Sequence, residues 1–308
     1  MTRHKSNCGQ AYVLTILFLV VLLGMAAAVV DIGSWYRAHR ALQATVDAAA
    51  LAGAQKLPES TGQASALASE YAAKNGGGSM QIAFSTQVYA NDTITVTGTK
   101  PAPGFFAKVF GIEAITVKAH AAARAGYPNQ VKWVAPIVVN IKHPMLNCNP
   151  NPCQDATELD YYDLKTAKGN DGAGSFGFIN LTGDNGVGAN ELGNWISDGF
   201  DQWLAPGNYF VSTGNPFSST NIKGALDQKI AAGDILLFPI YDKITGNGDN
   251  GKYHIAGFAG FLITSMDLQG SNEKFYGHFV SVTWEGIQAE SAGSAPPNFG
   301  VKSVSLVD

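Results

Sequence analysis

The stretch AYVLTILFLVVLLGMAAAVV, residues 11–30, decides the fold of the N-terminal part of this 308-residue chain. It contains no charged residue, and a helix of about twenty residues spans the roughly 30 Å of hydrocarbon in a bilayer. Arg3 and Lys5 precede it, and Asp31 follows it. We therefore expect a transmembrane helix over residues 11–30 and a cytoplasmic tail over residues 1–10.

The flanks of this stretch bear on its orientation. Trp35 and Tyr36 follow it at the depth where aromatic rings favour the membrane interface. Arg37 and Arg40 lie just beyond the same end, so the N-terminal side has no clear excess of basic residues over the C-terminal side. The large C-terminal part favours export, so we expect one crossing with the C-terminal domains outside the cytoplasm.

A cleaved secretory signal is the alternative interpretation of the same stretch. Such signals also begin with basic residues and can end in small ones, as at Ala26, Ala27 and Ala28. The apolar run is longer than the usual 7 to 15 residues, and a helical pattern continues beyond any cleavage point. Both observations favour a retained helix.

An alanine-rich segment follows the apolar run. Residues 31–57 keep the periodicity of a helix, and we expect a helical stalk that continues outward from the membrane. Small residues with four-residue spacing occur at Gly24 and Ala28, and again at Ala49 and Gly53. This spacing lets helices approach closely and predicts packing against partner helices or a helix-mediated oligomer, although alanine also simply favours helix.

Several short motifs in this region resemble a known family. They are a Gly-Gln-Ala entry at residues 9–11, Val-Asp-Ile-Gly at 30–33, Ala-Leu-Gln at 41–43 and DAAALAGA at 47–54. Together they resemble the N-terminal segment of TadG-like proteins of Flp pilus assembly, from the tight-adherence system. The resemblance implies a bacterial envelope protein, anchored in the cytoplasmic membrane, that helps assemble or anchor adhesive pili with other envelope proteins.

The rest of the chain predicts two exported units. Residues 58–126 alternate helix and strand, with helices expected over 59–74 and 104–110, and indicate a small α+β unit with an antiparallel sheet, its turn at Asn91-Asp92. Residues 127–308 are rich in glycine and in short β-branched or aromatic runs, which predicts a β-rich domain that opens with one apolar strand over residues 131–142. The expected fold class is α+β, and we expect both units to fold even without residues 2–57.

Two of the three cysteines flank a proline-containing turn. Cys148 and Cys153 enclose Asn-Pro-Asn-Pro, and such a pair in an exported domain favours a disulfide over a metal site. Cys8 precedes the apolar run, where a cytoplasmic position would keep it reduced. No second cysteine pair or histidine pair supports zinc.

Motifs for catalysis, metal ions and cofactors are missing from the sequence. Gly172–Gly177 is not a nucleophile elbow, because its glycines have the wrong offset. The six histidines are scattered, although a Ser-His-Asp arrangement could still assemble in space. Asp/Asn/Gly clusters at 184–191 and 247–251 offer oxygens to calcium but lack the EF-hand spacing, which favours turns. We expect a non-enzymatic protein without a cofactor.

Composition excludes one class of partner. Charged residues are 14% of the chain and the net charge is −4, with no concentrated basic patch for phosphate. Nucleic acid is therefore not an expected partner, whereas a lipid bilayer is. Beside the pilus-assembly hypothesis stand a surface adhesin, with aromatics at Trp195, Trp203, Tyr209 and Phe210 contacting a partner, and an exported hydrolase.

Overall fold

The computed structural model describes residues 8–147, 152–153, 155–161, 175–214, 216–268, 273–284, 287–289 and 298–307. Within them the chain forms two compact units. Unit 1 contains the N-terminal 86 residues, Ala90–Arg124 and Ser305–Asp308, and unit 2 contains Gln87–Tyr89 and Ala125–Val304. The expected α+β class is confirmed, with a long apolar helix at the N-terminus.

Unit 1 is built on a single long helix. Helix α1 spans Cys8–Ala54, 47 residues, which is about 70 Å of continuous helix. Helix α2 spans Thr61–Lys74, and its first turn is capped by the Ser60 hydroxyl, which accepts a hydrogen bond from the Gln63 backbone N–H. The predicted continuation of the apolar helix into an alanine-rich helix is therefore confirmed.

Unit 1 also contains three antiparallel strands, besides the last residues of a strand near the C-terminus. They are β1 (Ser79–Ser85), β2 (Thr93–Pro103) and β3 (Ala114–Gly126), paired in the order β1-β2-β3. Helices α1 and α2 cover one face of this sheet. Glycine at position 98 of β2 makes the close approach possible, since a Cβ there would lie 2.8 Å from Val46 Cγ1 of α1.

The second half of α1 supplies much of the core of unit 1. Its buried side chains meet alanines of α2 and β-branched residues of β2; they are Leu42, Val46, Ala49, Ala50, Ala52 and Ala54. The segment predicted as a stalk, residues 31–57, thus belongs to the same folded body as the predicted α+β unit. Deletion of residues 2–57 would remove this face of the core, which argues against the expectation that unit 1 folds without them.

Unit 2 is a mixed sheet around an aromatic core. Its strands are β4 (Pro128–Val131), β5 (Ile137–Asn140), β6 (Thr157–Tyr161), β7 (Ser175–Phe178), β8 (Gly207–Phe210), β9 (Ile235–Thr245), β10 (Lys252–Asp267), β11 (Lys274–Val280), β12 (Val282–Thr283), β13 (Ile287–Ala289) and β14 (Val301–Leu306), whose last residues belong to unit 1. Seven of the described strands pair in the order β11-β6-β7-β5-β9-β10-β8. Strand β11 also pairs with β10, so six of them close into a ring.

The interior of unit 2 is filled by stacked and edge-packed rings. Phe176 lies parallel to Phe275 with centroids 4.4 Å apart, and Phe238 stacks on Phe261 at 5.3 Å. Helices α3 (Ala189–Asp198) and α4 (Thr220–Ala232) pack against each other. Aromatic residues pack well on the pleated surface of a sheet, which explains the aromatic-rich strands predicted for this part of the chain.

One predicted strand is interrupted. Residues 131–142 were expected to form a single apolar strand, but the structure has β4 and β5 with a break between them. Pro136 cannot donate a ladder hydrogen bond, and Trp133 adopts a left-handed φ of 58°. The break therefore has a local cause in these two residues.

Candidate functional site

The candidate functional site is the apolar first half of α1 together with the chain segment that docks on it. The large apolar side chains of this half, from Tyr12 to Ile32, are exposed, whereas the first buried apolar side chain of α1 is Leu42. Among the described residues, α1 is the helix long and apolar enough to cross a membrane, with a mean hydropathy of 3.0 and none of its most apolar window buried. A signal sequence near an N-terminus meets the same criterion.

Asp31 connects this helix to the loop between β2 and β3. Its Oδ1 accepts hydrogen bonds from the backbone N–H groups of Phe105 and Phe106, at 2.6 and 3.2 Å. Its Oδ2 accepts from the N–H of Ala107 at 2.6 Å. The carboxylate thereby caps the single 3₁₀ turn Ala107–Phe110 and is itself buried. This contact gives a structural role to the aspartate of the Val-Asp-Ile-Gly motif.

One turn further along α1, a second contact holds the base of the same loop. Trp35 Nε1 donates to the carbonyl oxygen of Pro103 at 3.3 Å. At the next residue, Gly104, a Cβ would lie 3.0 Å from the Ala107 Cβ and 3.7 Å from the Trp35 ring. Two residues of α1 therefore fix where this loop lies along the helix.

The loop exposes apolar side chains. We call residues Phe105–Ile112 the aromatic loop; its large apolar members Phe105, Phe106, Val109, Phe110 and Ile112 are all exposed. Phe106, Ala107 and Phe110 line a groove of about 260 Å³ against α1, whose other walls are Gly24, Ala27, Ala28, Asp31, Ile32 and Trp35. The walls of this groove are almost wholly apolar.

The four small residues predicted for helix packing lie in two different environments. A Cβ at Gly24 would meet no atom within 4 Å, and Ala28 is exposed, so this pair forms an open wall of the groove. Ala49 and Gly53 are buried within unit 1, where a Cβ on Gly53 would lie 2.6 Å from Ile94 Cδ1. The close approach at Ala49 and Gly53 is therefore made to the same chain, and packing of Gly24 and Ala28 against a partner stays a prediction.

One of the two loop cysteines is described. Cys153 is disulfide-bonded, and its backbone N–H donates to the carbonyl oxygen of Met145 at 2.9 Å. Its predicted partner, Cys148, lies outside the described residues, and so does the side chain of Cys8. The pairing of Cys148 with Cys153 stays a prediction.

Two histidines of unit 2 have defined partners. His143 is buried, and its Nδ1 accepts from the backbone N–H of Met145. His254 Nδ1 lies 2.7 Å from Asp242 Oδ1 on the exposed side of β9 and β10. The residues paired with His254 on the neighbouring strands are Lys243 and Asn208, neither of which offers a hydroxyl or thiol nucleophile.

The first oxygen-rich cluster is a loop that leads into helix α3, and the second contains a short turn. The Asn180 side-chain amide donates to the carbonyl oxygens of Asp184 and Gly186, and Gly248–Asn250 forms a short 3₁₀ turn. In the part of the chain that the structure describes, no group of three or more His, Cys, Asp or Glu side chains could hold a metal ion.

The aromatics suggested for a binding surface divide between core and surface. Trp195 is buried and packs edge-on against Phe200 at 5.2 Å. Tyr209 and Phe210 are half-buried in β8, and the Tyr209 hydroxyl donates to the Ala205 carbonyl. Burial raises the pKa of Tyr209. Trp203 is exposed, with Lys132 Nζ 5.5 Å from the centre of its ring.

The sequence predicts only a short helix before a strand where the aromatic loop lies. Its apolar residues fall at 105, 106, 109 and 110, which is the spacing of one helical face. That spacing is equally typical of a face packed in a core, so it could not reveal exposure. The contact with Asp31, 74 residues earlier in the chain, is what places the loop beside α1.

Comparison with known proteins gives one result that bears on this site. Comparisons with curated proteins and with solved structures gave no match. Residues 9–56 match the model of a family described as "Putative Flp pilus-assembly TadE/G-like". This range coincides with α1, Cys8–Ala54, and includes Asp31. The resemblance seen in the sequence is thus confirmed, and the similarity to this family falls on the N-terminal helix and the two residues that follow it.

Proposed function

We propose that this chain is a membrane-anchored envelope protein that takes part in assembling or anchoring a Flp-type, tight-adherence pilus, without catalysing a reaction. The observation that carries the proposal is the family match over residues 9–56, which falls on the helix with the exposed apolar half. Leaving the apolar side chains of such a helix in water costs several kcal/mol of free energy relative to burying them in an apolar medium. Insertion of residues 11–30 in the cytoplasmic membrane removes that cost.

The proposed topology has a cytoplasmic N-terminus and exports both units. Arg3 and Lys5 before the helix favour this orientation. The bonded state of Cys153 supports an oxidising compartment for unit 2, since disulfides persist mainly outside the cytoplasm. Peptide mapping without reductant tests the topology: we expect Cys148 joined to Cys153 and a free Cys8, and a bridge from Cys8 to either would contradict it.

Two experiments test the proposed function. In membranes from cells that produce the full chain, carbonate washing is expected to leave the protein in the pellet, because a spanning helix is not released by loss of ionic contacts. In a strain lacking the gene, surface-attached pili are expected to be lost and to return with the full chain. Soluble protein that begins near Asp31 would contradict anchoring, and unchanged pili would contradict the assembly role.

A surface adhesin is the second candidate, and exposed tryptophans of unit 2 favour it. Trp203 and Trp133 are 48% and 41% exposed. Trp133 has a left-handed φ of 58°, and its N–H donates to the Phe200 carbonyl at 2.7 Å. A bulky residue in this conformation is strained, and such strain often accompanies function. If cells with the Trp203→Ala variant keep their pili but no longer attach to surfaces, the adhesin role is supported. If both pili and attachment are unchanged, assembly remains the better explanation.

A further inference from the structure

The aromatic loop combines unusual exposure with a fixed position. Val109 and Phe110 are 82% and 83% exposed. Soluble surfaces rarely carry a contiguous apolar patch of this kind unless it contacts a partner or a membrane. We propose that the aromatic loop is a second membrane-contacting element, which dips into the lipid beside the point where α1 leaves the bilayer. This inference rests on the proposed membrane anchoring of α1.

The depth of the loop follows from its neighbours on α1. Phe106 and Phe110 line the same groove as Gly24, Ala27 and Ala28. Those three helix residues lie inside the uncharged run 11–30, and Gly24 precedes the end of that run by about 9 Å of helix. If this run lies in hydrocarbon, the Phe110 side chain lies at the depth of its last turns. The wall of the groove that α1 forms would then already contact lipid, so lipid can fill the groove without a further partner.

The backbone of the loop is suited to a medium with little water. Every backbone N–H that enters hydrocarbon needs a partner within the protein. Asp31 accepts from three of them, those of Phe105, Phe106 and Ala107. Three more, at Val109, Gly111 and Ile112, donate to carbonyl oxygens of the loop itself. The loop therefore presents apolar side chains outward while most of its N–H groups are paired.

The single charged side chain of the loop is compatible with an interfacial position. Lys108 is exposed and lies between Ala107 and Val109. A lysine can keep its apolar stem along a membrane surface and its ammonium among the headgroups, where anionic lipids attract it. A second protein chain in the groove is the alternative occupant. Continuity with the exposed half of α1 favours lipid, because none of the most apolar window of that helix is buried against the described residues.

Collision of spin labels with oxygen and with a water-soluble nickel complex tests the proposal. The full chain carries Cys8→Ser and one labelled cysteine, and is placed one copy per nanodisc of equal parts phosphatidylethanolamine and phosphatidylglycerol. The labelled variants are Val109→Cys in the loop, Val20→Cys in the apolar run and Tyr71→Cys on α2. All three positions are exposed, so the labels are not expected to disturb folding, which circular dichroism checks.

The expected result is that labels at 109 and 20 collide more with oxygen, which concentrates in hydrocarbon, and that the label at 71 collides more with nickel. If position 20 lies in lipid but position 109 collides with nickel as position 71 does, the loop proposal is wrong and anchoring stands. If position 109 is shielded from both reagents, protein covers the loop and the proposal is again wrong. If position 20 itself lies in water, anchoring fails and the loop proposal fails with it.

Discussion

The imidazole of His143 is held in its neutral form by the structure around it. Nδ1 accepts from the Met145 N–H at 3.2 Å, so the ring proton is assigned to Nε2, which lies 3.2 Å from Thr157 Oγ1. The ring also packs edge-on against Phe279, with centroids 5.1 Å apart. Burial lowers the pKa of His143 below its ordinary value of 6.5, and a backbone hydrogen bond with Glu158 only partly opposes this.

A pH dependence of stability follows from this pKa. The folded chain binds the proton less readily than the unfolded chain, so the free energy of unfolding falls as pH drops from about 6.5, the unfolded value, to the lower pKa of the folded chain, below which this loss is complete. Urea unfolding followed by tryptophan fluorescence, at pH 8 and pH 5, measures the loss. The matched variant is His143→Asn, which keeps a capping side chain and cannot titrate. It should show a smaller loss; an equal loss in both proteins would mean that His143 is not the group responsible.

Gly53 occupies a position in α1 where no side chain fits. A Cβ there would lie 3.0 Å from the Ala64 carbonyl oxygen and 2.6 Å from the buried Ile94. We expect Gly53→Leu to lower the stability of unit 1 by about 3 kcal/mol, because the added carbons overpack the contact between α1 and α2. Gly62→Leu is the control, since a Cβ at Gly62 meets nothing within 4 Å.

The measurement for this pair is chemical denaturation of the full chain in detergent, followed by helical circular dichroism. The control should remain within about 1 kcal/mol of the unmodified protein, because leucine favours helix over glycine. Similar stabilities for the two variants would show that the space around Gly53 is less restricted than the distances indicate.

At the scale of elements, the Asp31 carboxylate accepts three backbone hydrogen bonds from the aromatic loop. Asp31→Asn retains a single acceptor oxygen, so at least one N–H among Phe105, Phe106 and Ala107 loses its partner. Hydrogen exchange of peptides covering residues 104–112 should become faster. Asp47→Asn is the matched control on the same helix, because Asp47 accepts from Gln43 rather than from the loop. Equal exchange in both variants would contradict a holding role for Asp31.

The elements that could be predicted from sequence are those with strong local signals. The uncharged run and the alanine-rich segment both favour helix, and α1 joins them without interruption. The limits of α2, predicted as Glu59–Lys74, differ from Thr61–Lys74 only at the start, where Ser60 provides the cap. Local propensity and the tertiary structure agree in these helices, which is why the periodicity of the sequence was sufficient to predict them.

Other features depend on contacts between distant residues and could not be predicted. Closure of the strand ring requires β11 to pair with β6 more than 100 residues earlier, as in the pair Phe275 and Leu159. Nothing local in either strand specifies that pairing. The exposure of Phe110 was equally hidden, because an apolar face indicates a core and a membrane surface alike.

At the scale of the whole molecule, the single helix α1 contains both the proposed anchor and part of the core of unit 1. Residues before Asp31 provide the apolar run, and residues from Leu42 onward lie in the core of unit 1. A continuous helix transmits position without a flexible linker, so unit 1 is expected to stay next to the membrane surface. A truncation can therefore remove the anchor and keep the core of unit 1 only if the cut falls between the apolar run and Leu42.

Two truncated chains, each exported by a conventional cleaved signal, test this division. The chain that begins at Asp31 keeps the core residues of α1, the carboxylate that holds the aromatic loop, and all of unit 2. We expect it to resist proteolysis in both units, and to be released from the membrane with loss of pili. The chain that begins at Pro58 lacks Leu42, Val46 and Ala49, so unit 1 should be degraded while unit 2 survives.

The comparison between these chains decides whether position at the membrane is what the function requires. Protease digestion and circular dichroism report folding, and restoration of pili in a strain lacking the gene reports the role. Because the chain from Asp31 keeps every buried residue of α1 from Leu42 onward, its failure to restore pili could not be ascribed to a missing core. Full restoration by this freely exported chain would refute the need for an anchor and would favour a soluble binding protein. A stable unit 1 in the chain from Pro58 would instead show that α2 and the three strands fold without α1.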